Sequence, residues 1–314
     1  MSPVAQVPKF ADPRITAKGE ERATVQFDRL DTLWFNTGTL CNIECVNCYI
    51  ESSPSNDRLA YLSLAEVERY LDEIDALELD AREIGFTGGE PFLNPDFCAM
   101  LAATLERGYE VLVLTNAMRP MMRPAVQELL QELLARHGKR LTMRVSLDHH
   151  TEELHDRERG AGSWQEAIAG TRWLASRGFH VTVAGRSCWG EEEAIARAGY
   201  ANVFAAEEFP IDADSSAQLV IFPEMDPHAD VPEITTDCWG ILGVNPGDMM
   251  CASSRMIVKR NGAAEPAVLA CTLLPYDPLF ELGSTLAEAR SAVPLNHVHC
   301  AKFCVLGGAS CSAS

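Results

Sequence analysis

Residues 32–48 read TLWFNTGTLCNIECVNC. Thr32 to Thr37 form an apolar, β-compatible run, and Cys41, Cys45 and Cys48 follow it with x3 and x2 spacing, so a loop bearing three thiols leaves the C-terminal end of a strand. That spacing suits an iron–sulfur cube held by three thiolates, one short of the usual four, with its fourth iron unligated. It also suits a tetrahedral zinc site, whose fourth ligand would have to come from Cys98 or His137, the next candidates along the chain, or simply buried thiols.

A chain of 314 residues with 47% hydrophobic composition can bury a full core, most simply as one large domain with a small appendage. No apolar run reaches the ~18 residues of a spanning helix, and the N-terminus MSPVAQVPKF lacks the apolar centre of a signal peptide, so no membrane partner and a cytoplasmic location are expected. Eleven cysteines in a reducing compartment point to metal ligands more than to disulfides. The net charge of −19, from 45 acidic and 26 basic residues, sets up a field that repels polyanions. Nucleic acid is thereby excluded as a partner, and small molecules or weakly acidic peptides fit better.

Strand and helix patterns alternate along the chain. Strands are predicted at Thr32–Thr37, Glu83–Thr87, Glu110–Leu114, Leu141–Ser146, His180–Ala184 and Gln218–Phe222. Ser63 and Glu66 form a capping box ahead of Leu64, Val67, Tyr70, Leu71 and Ile74 at helical spacing. Further helices are predicted at Asp96–Arg107, Pro124–Arg136, Trp164–Ser176 and Glu191–Ala205. Six strands joined by helices call for a parallel α/β sheet, closed as a partial (β/α)6 TIM-like barrel or left open and doubly wound. In either form the loops after the strands carry function. Pro223, Pro227 and Pro232 punctuate an acidic stretch, which divides the chain into an N-terminal arm (1–31), the barrel (32–222), and a linker with a cysteine-rich α+β region of hairpin plus helix (223–314).

Thr87-Gly88-Gly89-Glu90-Pro91 follows the second strand: two glycines let backbone approach a ligand closely, and Glu90 offers a carboxylate to an ammonium group. Cys41-x3-Cys45-x2-Cys48 with Tyr49 behind it, together with GGEP, resembles the signature of radical SAM enzymes, a likeness that extends over nearly the whole chain and is strongest over 34–91 and 141–178. It implies a [4Fe–4S] cluster on Cys41, Cys45 and Cys48 whose open iron binds S-adenosylmethionine, and reductive cleavage of that cofactor to a 5′-deoxyadenosyl radical that abstracts hydrogen from substrate. Tyr49, Gly88, Gly89, Glu90, Pro91 and Asn116 are then cofactor contacts. The segment from Ser146 resembles the family's fourth strand and following helix, with Ser146 and Arg159 toward the ribose and methionyl carboxylate, although one extra residue and His149-His150 in place of Gly-Pro leave Arg157 as a competitor for Arg159. Arg186 after the fifth strand is a further candidate.

The tail holds Cys238, Cys251, Cys271, Cys300, Cys304 and Cys311. Asn261-Gly262 between two β-like runs predicts a hairpin returning Cys251 and Cys271 to one end, followed by a helical stretch near Thr285–Ala292 and then HCAKFC. This order resembles the twitch domain, a shortened SPASM extension, and implies one auxiliary [4Fe–4S] cluster on Cys251, Cys271, Cys300 and Cys304, with Cys311 able to displace one of them and zinc or an empty thiol pocket as the other readings. Cys98 reads as a buried small hydrophobe, and Cys188 and Cys238 as hydrogen-atom donors, extra ligands or packing. Glu224, Asp226 and Glu233 are candidates to bind a cationic substrate or act as a base, or are linker charge.

The expected activity is radical oxidation or rearrangement of a small-molecule substrate, with an electron donor such as flavodoxin or ferredoxin. Peptide maturation is the alternative, less favoured because only about thirty residues precede the first strand and leave no leader-binding domain there. A non-catalytic iron–sulfur scaffold or electron carrier is the alternative of another class, and such a carrier has no use for GGEP or for Ser146 and Arg159.

Overall fold

A computed structural model describes residues 8–187 and 189–308. Its strands are β1 (Thr24–Val25), β2 (Thr32–Asn36), β3 (Glu83–Thr87), β4 (Glu110–Thr115), β5 (Leu141–Ser146), β6 (His180–Arg186), β7 (Leu219–Phe222), β8 (Ser254–Val258), β9 (Ala267–Leu269), β10 (Glu281–Gly283) and β11 (Val293–Pro294). The α-helices are α1 (Leu64–Ala76), α2 (Phe97–Glu106), α3 (Pro124–His137), α4 (Glu152–Arg159), α5 (Ser163–Ser176), α6 (Glu193–Ala206), α7 (Cys238–Leu242) and α8 (Met250–Ser253).

β2 to β7 lie side by side in chain order, every neighbouring pair parallel, which is the architecture of a partial barrel with helices outside. Their buried faces make a near-continuous apolar set, as strands covered on both faces require. Phe35, Phe86, Phe92 and Phe97 interlock in the core, with the Phe86–Phe97 and Phe92–Phe97 rings edge-on at 5.4 and 4.9 Å. The α1 capping box forms: Ser63 Oγ accepts from Glu66 N, and Ser63 N donates to Glu66 Oε2 at 2.8 Å. Lys259 Nζ grips the same carboxylate at 2.6 Å, tying α1 to the segment after β8.

The C-terminal region departs from expectation. Instead of making a sheet of its own, β8 runs parallel beside β2, with Thr32 opposite Ser254 and Phe35 opposite Ile257. β9 and β10 continue outward antiparallel, so one nine-stranded sheet runs β10-β9-β8-β2-β3-β4-β5-β6-β7. The hairpin forms, but its arms pair only from Val258 and Ala267, and the Asn261-Gly262 turn sits within a longer loop. The helix predicted near Thr285–Ala292 is only a 3-10 turn at Glu288–Arg290, and β11 begins at Val293, antiparallel to β1. Cys300–Val305 forms a short π-helix.

Candidate active site

The three-thiol loop is held against GGEP by backbone. Gly89 N donates to Gly38 O at 2.8 Å, Glu90 N to Leu40 O at 3.1 Å, and Cys41 N to Ser53 O at 3.0 Å. A Cβ on Gly89 would stand 2.2 Å from Leu40 O, and Gly88 adopts φ +146°, so both glycines are required by this close approach. The Glu90 carboxylate does not face the cavity. It is fully buried and accepts from Thr115 Oγ1 at 2.9 Å and Asn116 N at 2.9 Å, so it anchors GGEP to the end of β4. Burial pushes its pKa up to about 7, against those hydrogen bonds. Pro91 opens a 3-10 turn capped by Glu90 and is likewise buried.

Charged side chains converge from the ends of β5 and β6. Arg159, at the end of α4, donates from Nε and Nη2 to Asp148 at 2.7 and 3.0 Å, a bidentate pair beneath the thiols. Burial alone would raise Asp148, but the guanidinium outweighs it and holds the carboxyl below its usual range. Arg157, its sequence competitor, lies on the exposed face of α4 with Glu153 at 2.9 Å. Arg186 Nη1 donates to Asn47 O and to Glu158 Oε1, at 2.9 and 2.8 Å. Glu158, which the sequence reading missed, also accepts from Asn47 N and Nδ2, each at 2.8 Å, and so clamps the loop between Cys45 and Cys48.

One cavity of about 140 Å³ brings together Cys41, Cys45 and Cys48 with Tyr49, Gly88, Gly89, Asn116, Ser146, Asp148, Arg159 and Arg186. Asn116 Nδ2 also donates to Asn42 Oδ1 at 2.9 Å, bracing the loop. No further cysteine and no histidine lines it among the described residues. Cys98 packs against the core on α2, and His137 ends α3 ahead of β5, at the opposite end of the strands. Three thiols with no fourth thiol or imidazole beside them among the described residues fit a cube with a vacant position. Burial pushes Cys41 to about 12 and Cys45 to about 11, so thiolates here need a compensating cation, which iron supplies.

A second cavity of about 440 Å³ adjoins the first and shares Asn47, Cys48, Tyr49, Arg186 and Met225 with it. Beyond them its walls include Glu51, Glu224, Asp226 and Asp277, with His297 and His299. Glu233 is elsewhere: half-buried, it is ion-paired to Arg22 and accepts from Phe10 N and Ala17 N, so it fastens the N-terminal arm.

Behind that cavity Cys251, Cys271, Cys300 and Cys304 meet around a small space walled by Met249, Met250, Leu273, Phe280, Val293 and Leu295, with His299 also on its wall. Four thiols around one space are a donor set suited to a cube. Burial pushes Cys251 to about 11 and Cys300 to about 12. Cys238 is not brought to either large cavity: its Sγ lies 3.4 Å from Thr235 N and Oγ1, which removes the geometric ground for a hydrogen-donor role. Cys188 and Cys311 lie outside the described residues.

Residues 35–189 match the radical SAM superfamily. The chain is 33% identical over 145 residues to the antilisterial bacteriocin subtilosin biosynthesis protein AlbA of Bacillus subtilis (strain 168), covering 46% of this chain and 30% of the relative. It is 32% identical over 139 residues to the mycofactocin maturase MftC of Mycobacterium ulcerans (strain Agy99), covering 44% and 35%. The chain thus spans about a third of the length of these curated relatives. In fold it resembles Streptococcus suis SuiB bound to precursor peptide SuiA, with TM-score 0.60, 12% identity, and coverage of 85% of this chain and 66% of that one. Among the described residues no helix is long and apolar enough to cross a membrane. With the three-thiol loop, GGEP and the parallel barrel in one place, residues 35–189 form a domain of the radical SAM superfamily.

Proposed function

We propose that this chain modifies a peptide, abstracting hydrogen from a residue held in the cavity between the three-thiol loop and the C-terminal cysteines. A cavity of about 440 Å³ opening directly off Cys48 and Tyr49 gives a substrate room beside the thiols. The observation that carries the peptide reading is the set of relatives: one is a maturase, one serves bacteriocin biosynthesis, and a structural neighbour holds a precursor peptide. The small-molecule substrate preferred from sequence gives way to the peptide on that ground.

When bound, a [4Fe–4S] cluster on Cys41, Cys45 and Cys48 and S-adenosylmethionine supply the 5′-deoxyadenosyl radical, and an auxiliary [4Fe–4S] cluster on Cys251, Cys271, Cys300 and Cys304 supplies a second redox centre. The chain's own residues bind and orient. Gly88 and Gly89 present backbone to the cofactor's amino end, and Ser146 and Asn116 line its path. Arg159 spends two of its N–H donors on Asp148 and keeps the rest for a carboxylate, held at a fixed angle by the bidentate pair. Glu158 and Arg186 keep the loop from opening to water. The acidic walls of the outer cavity, Glu224 and Asp226 among them, favour a peptide without strong negative charge. The electron comes from a small redox protein such as flavodoxin or ferredoxin.

The test is anaerobic turnover with S-adenosylmethionine, reductant and a library of short peptides, run beside nucleotides and sugars. Peptide-dependent release of 5′-deoxyadenosine, with a matching mass change in the peptide, is expected. Release stimulated by a nucleotide or sugar and indifferent to peptide overturns the reading.

A further inference from the structure

Arg22 and Arg255 are both almost fully buried, and of the two only Arg22 has a carboxylate partner among the described residues. Arg22 ion-pairs with Glu233 and donates to Asp12 O, Leu295 O and Ile15 O. Arg255, on β8, is 1% exposed. Its Nε donates to Ala289 O at 2.7 Å, its Nη1 to Cys251 O and Ser254 O at 2.7 Å each, and the Phe27 ring lies 4.3 Å from its guanidinium carbon. Every acceptor is a neutral carbonyl, Nη2 is buried without a partner, and among the described residues no carboxylate pairs with it. A guanidinium does not deprotonate to escape burial, and an uncompensated interior charge is costly.

The group able to become negative that acts on the Arg255 charge is the thiol of Cys251, whose own carbonyl Arg255 also holds and which faces the other three cysteines across the small space. Protonated, the four thiols carry no charge; as iron ligands each is a thiolate, and a cube with four of them is anionic. We propose that Arg255 is the built-in counter-cation of the auxiliary cluster, a positioning residue that favours its reduced form and so raises its reduction potential. This inference rests on the auxiliary-cluster reading above. The sign follows from charge: reduction adds an electron to an already negative cluster, and a fixed cation a few bonds away stabilises that product more than the oxidised form. Its three short hydrogen bonds and the Phe27 ring hold the guanidinium still, so the effect is preorganised rather than recruited.

The test uses the full chain reconstituted anaerobically, with iron counted per chain and both clusters titrated potentiometrically by EPR, in wild type, Arg255→Gln and Arg255→Lys. Arg255→Gln is expected to move the auxiliary midpoint to more negative potential and leave the Cys41/Cys45/Cys48 midpoint in place, while Arg255→Lys stays near wild type. Should Arg255→Gln fail to hold the auxiliary iron while Arg255→Lys retains it, the charge requirement is equally supported. An unchanged auxiliary midpoint in Arg255→Gln with its iron in full, or equal loss of iron in both variants, overturns the inference alone. A wild type with only about four irons, or with stoichiometric zinc, brings down the auxiliary-cluster reading first.

Discussion

Around Cys41, Cys45 and Cys48 the walls are polar, with Asn116, Ser146, Asp148 and Arg159 sharing the space, whereas Cys251, Cys271, Cys300 and Cys304 meet among methionine, leucine, phenylalanine and valine side chains with His299 beside them. The first set has three thiols with no fourth thiol or imidazole beside them among the described residues; the second has four thiols. Burial pushes Cys41 in the first set and Cys300 in the second up to about 12. The contrast separates two tasks that the same element can perform. A polar pocket with a vacant position admits a charged ligand and does chemistry on it, while a dry, saturated one suits electron exchange or stability.

The sharpest way to break that contrast is to remove one thiol from each set. Cys45→Ala is expected to abolish 5′-deoxyadenosine formation, while Cys271→Ala loses roughly half the iron and still cleaves S-adenosylmethionine; if both variants behave alike, the two sites are not distinct. Gly89→Ala comes next, since its Cβ meets Leu40 O at 2.2 Å and must push GGEP off the three-thiol loop. A cost of ~3 kcal/mol is expected, with cleavage falling about a hundredfold and the auxiliary EPR signal unaffected.

Glu90 gives a smaller and pH-dependent effect. Because its folded pKa is raised from 4.5 to about 7, the native state binds the extra proton, and stability is greatest below pH 4.5 and falls as pH rises through 7. Glu90→Gln should flatten that decline, worth roughly 2–3 kcal/mol, which denaturant midpoints at pH 5 and pH 8 would reveal. The smallest effect is expected at Arg157→Ala. This exposed i,i+4 partner of Glu153 should cost under ~0.5 kcal/mol and leave cleavage intact, in contrast to Arg159→Ala, which frees buried Asp148 and should abolish S-adenosylmethionine binding as judged by equilibrium dialysis.

Much of the barrel was legible because its signals are local. The strand boundaries at β3 and β5 match their predicted ranges, and those at β2, β4, β6 and β7 differ by one or two residues, since apolar runs ending at a glycine, a cap or a proline mark themselves. The helix α4 was not seen, because EELHDRER carries almost no apolar period and buries only His155 and Glu158. The site was readable as a list of motifs but not as a geometry. Glu90 carries the right residue type for an ammonium contact, yet its carboxylate turns to Thr115 and Asn116; Glu158 sits beside Arg159 in sequence and gives no sign that it clasps Asn47. The helix expected at Thr285–Ala292 shortened to a 3-10 turn at Glu288–Arg290, with β11 and its pairing to β1 beginning directly after the segment at Val293.

By itself, the sequence determined the three-thiol loop, the glycines that let GGEP approach it and the alternation that builds a parallel sheet, since each depends on neighbours a few residues apart. The tertiary structure alone decided that β8 would add to the sheet beside β2, that Arg159 would be locked to Asp148, and that Arg255 would be buried without an acid. Those outcomes turn on strand pairing and charge neutralisation between distant segments, for which local periodicity carries no information.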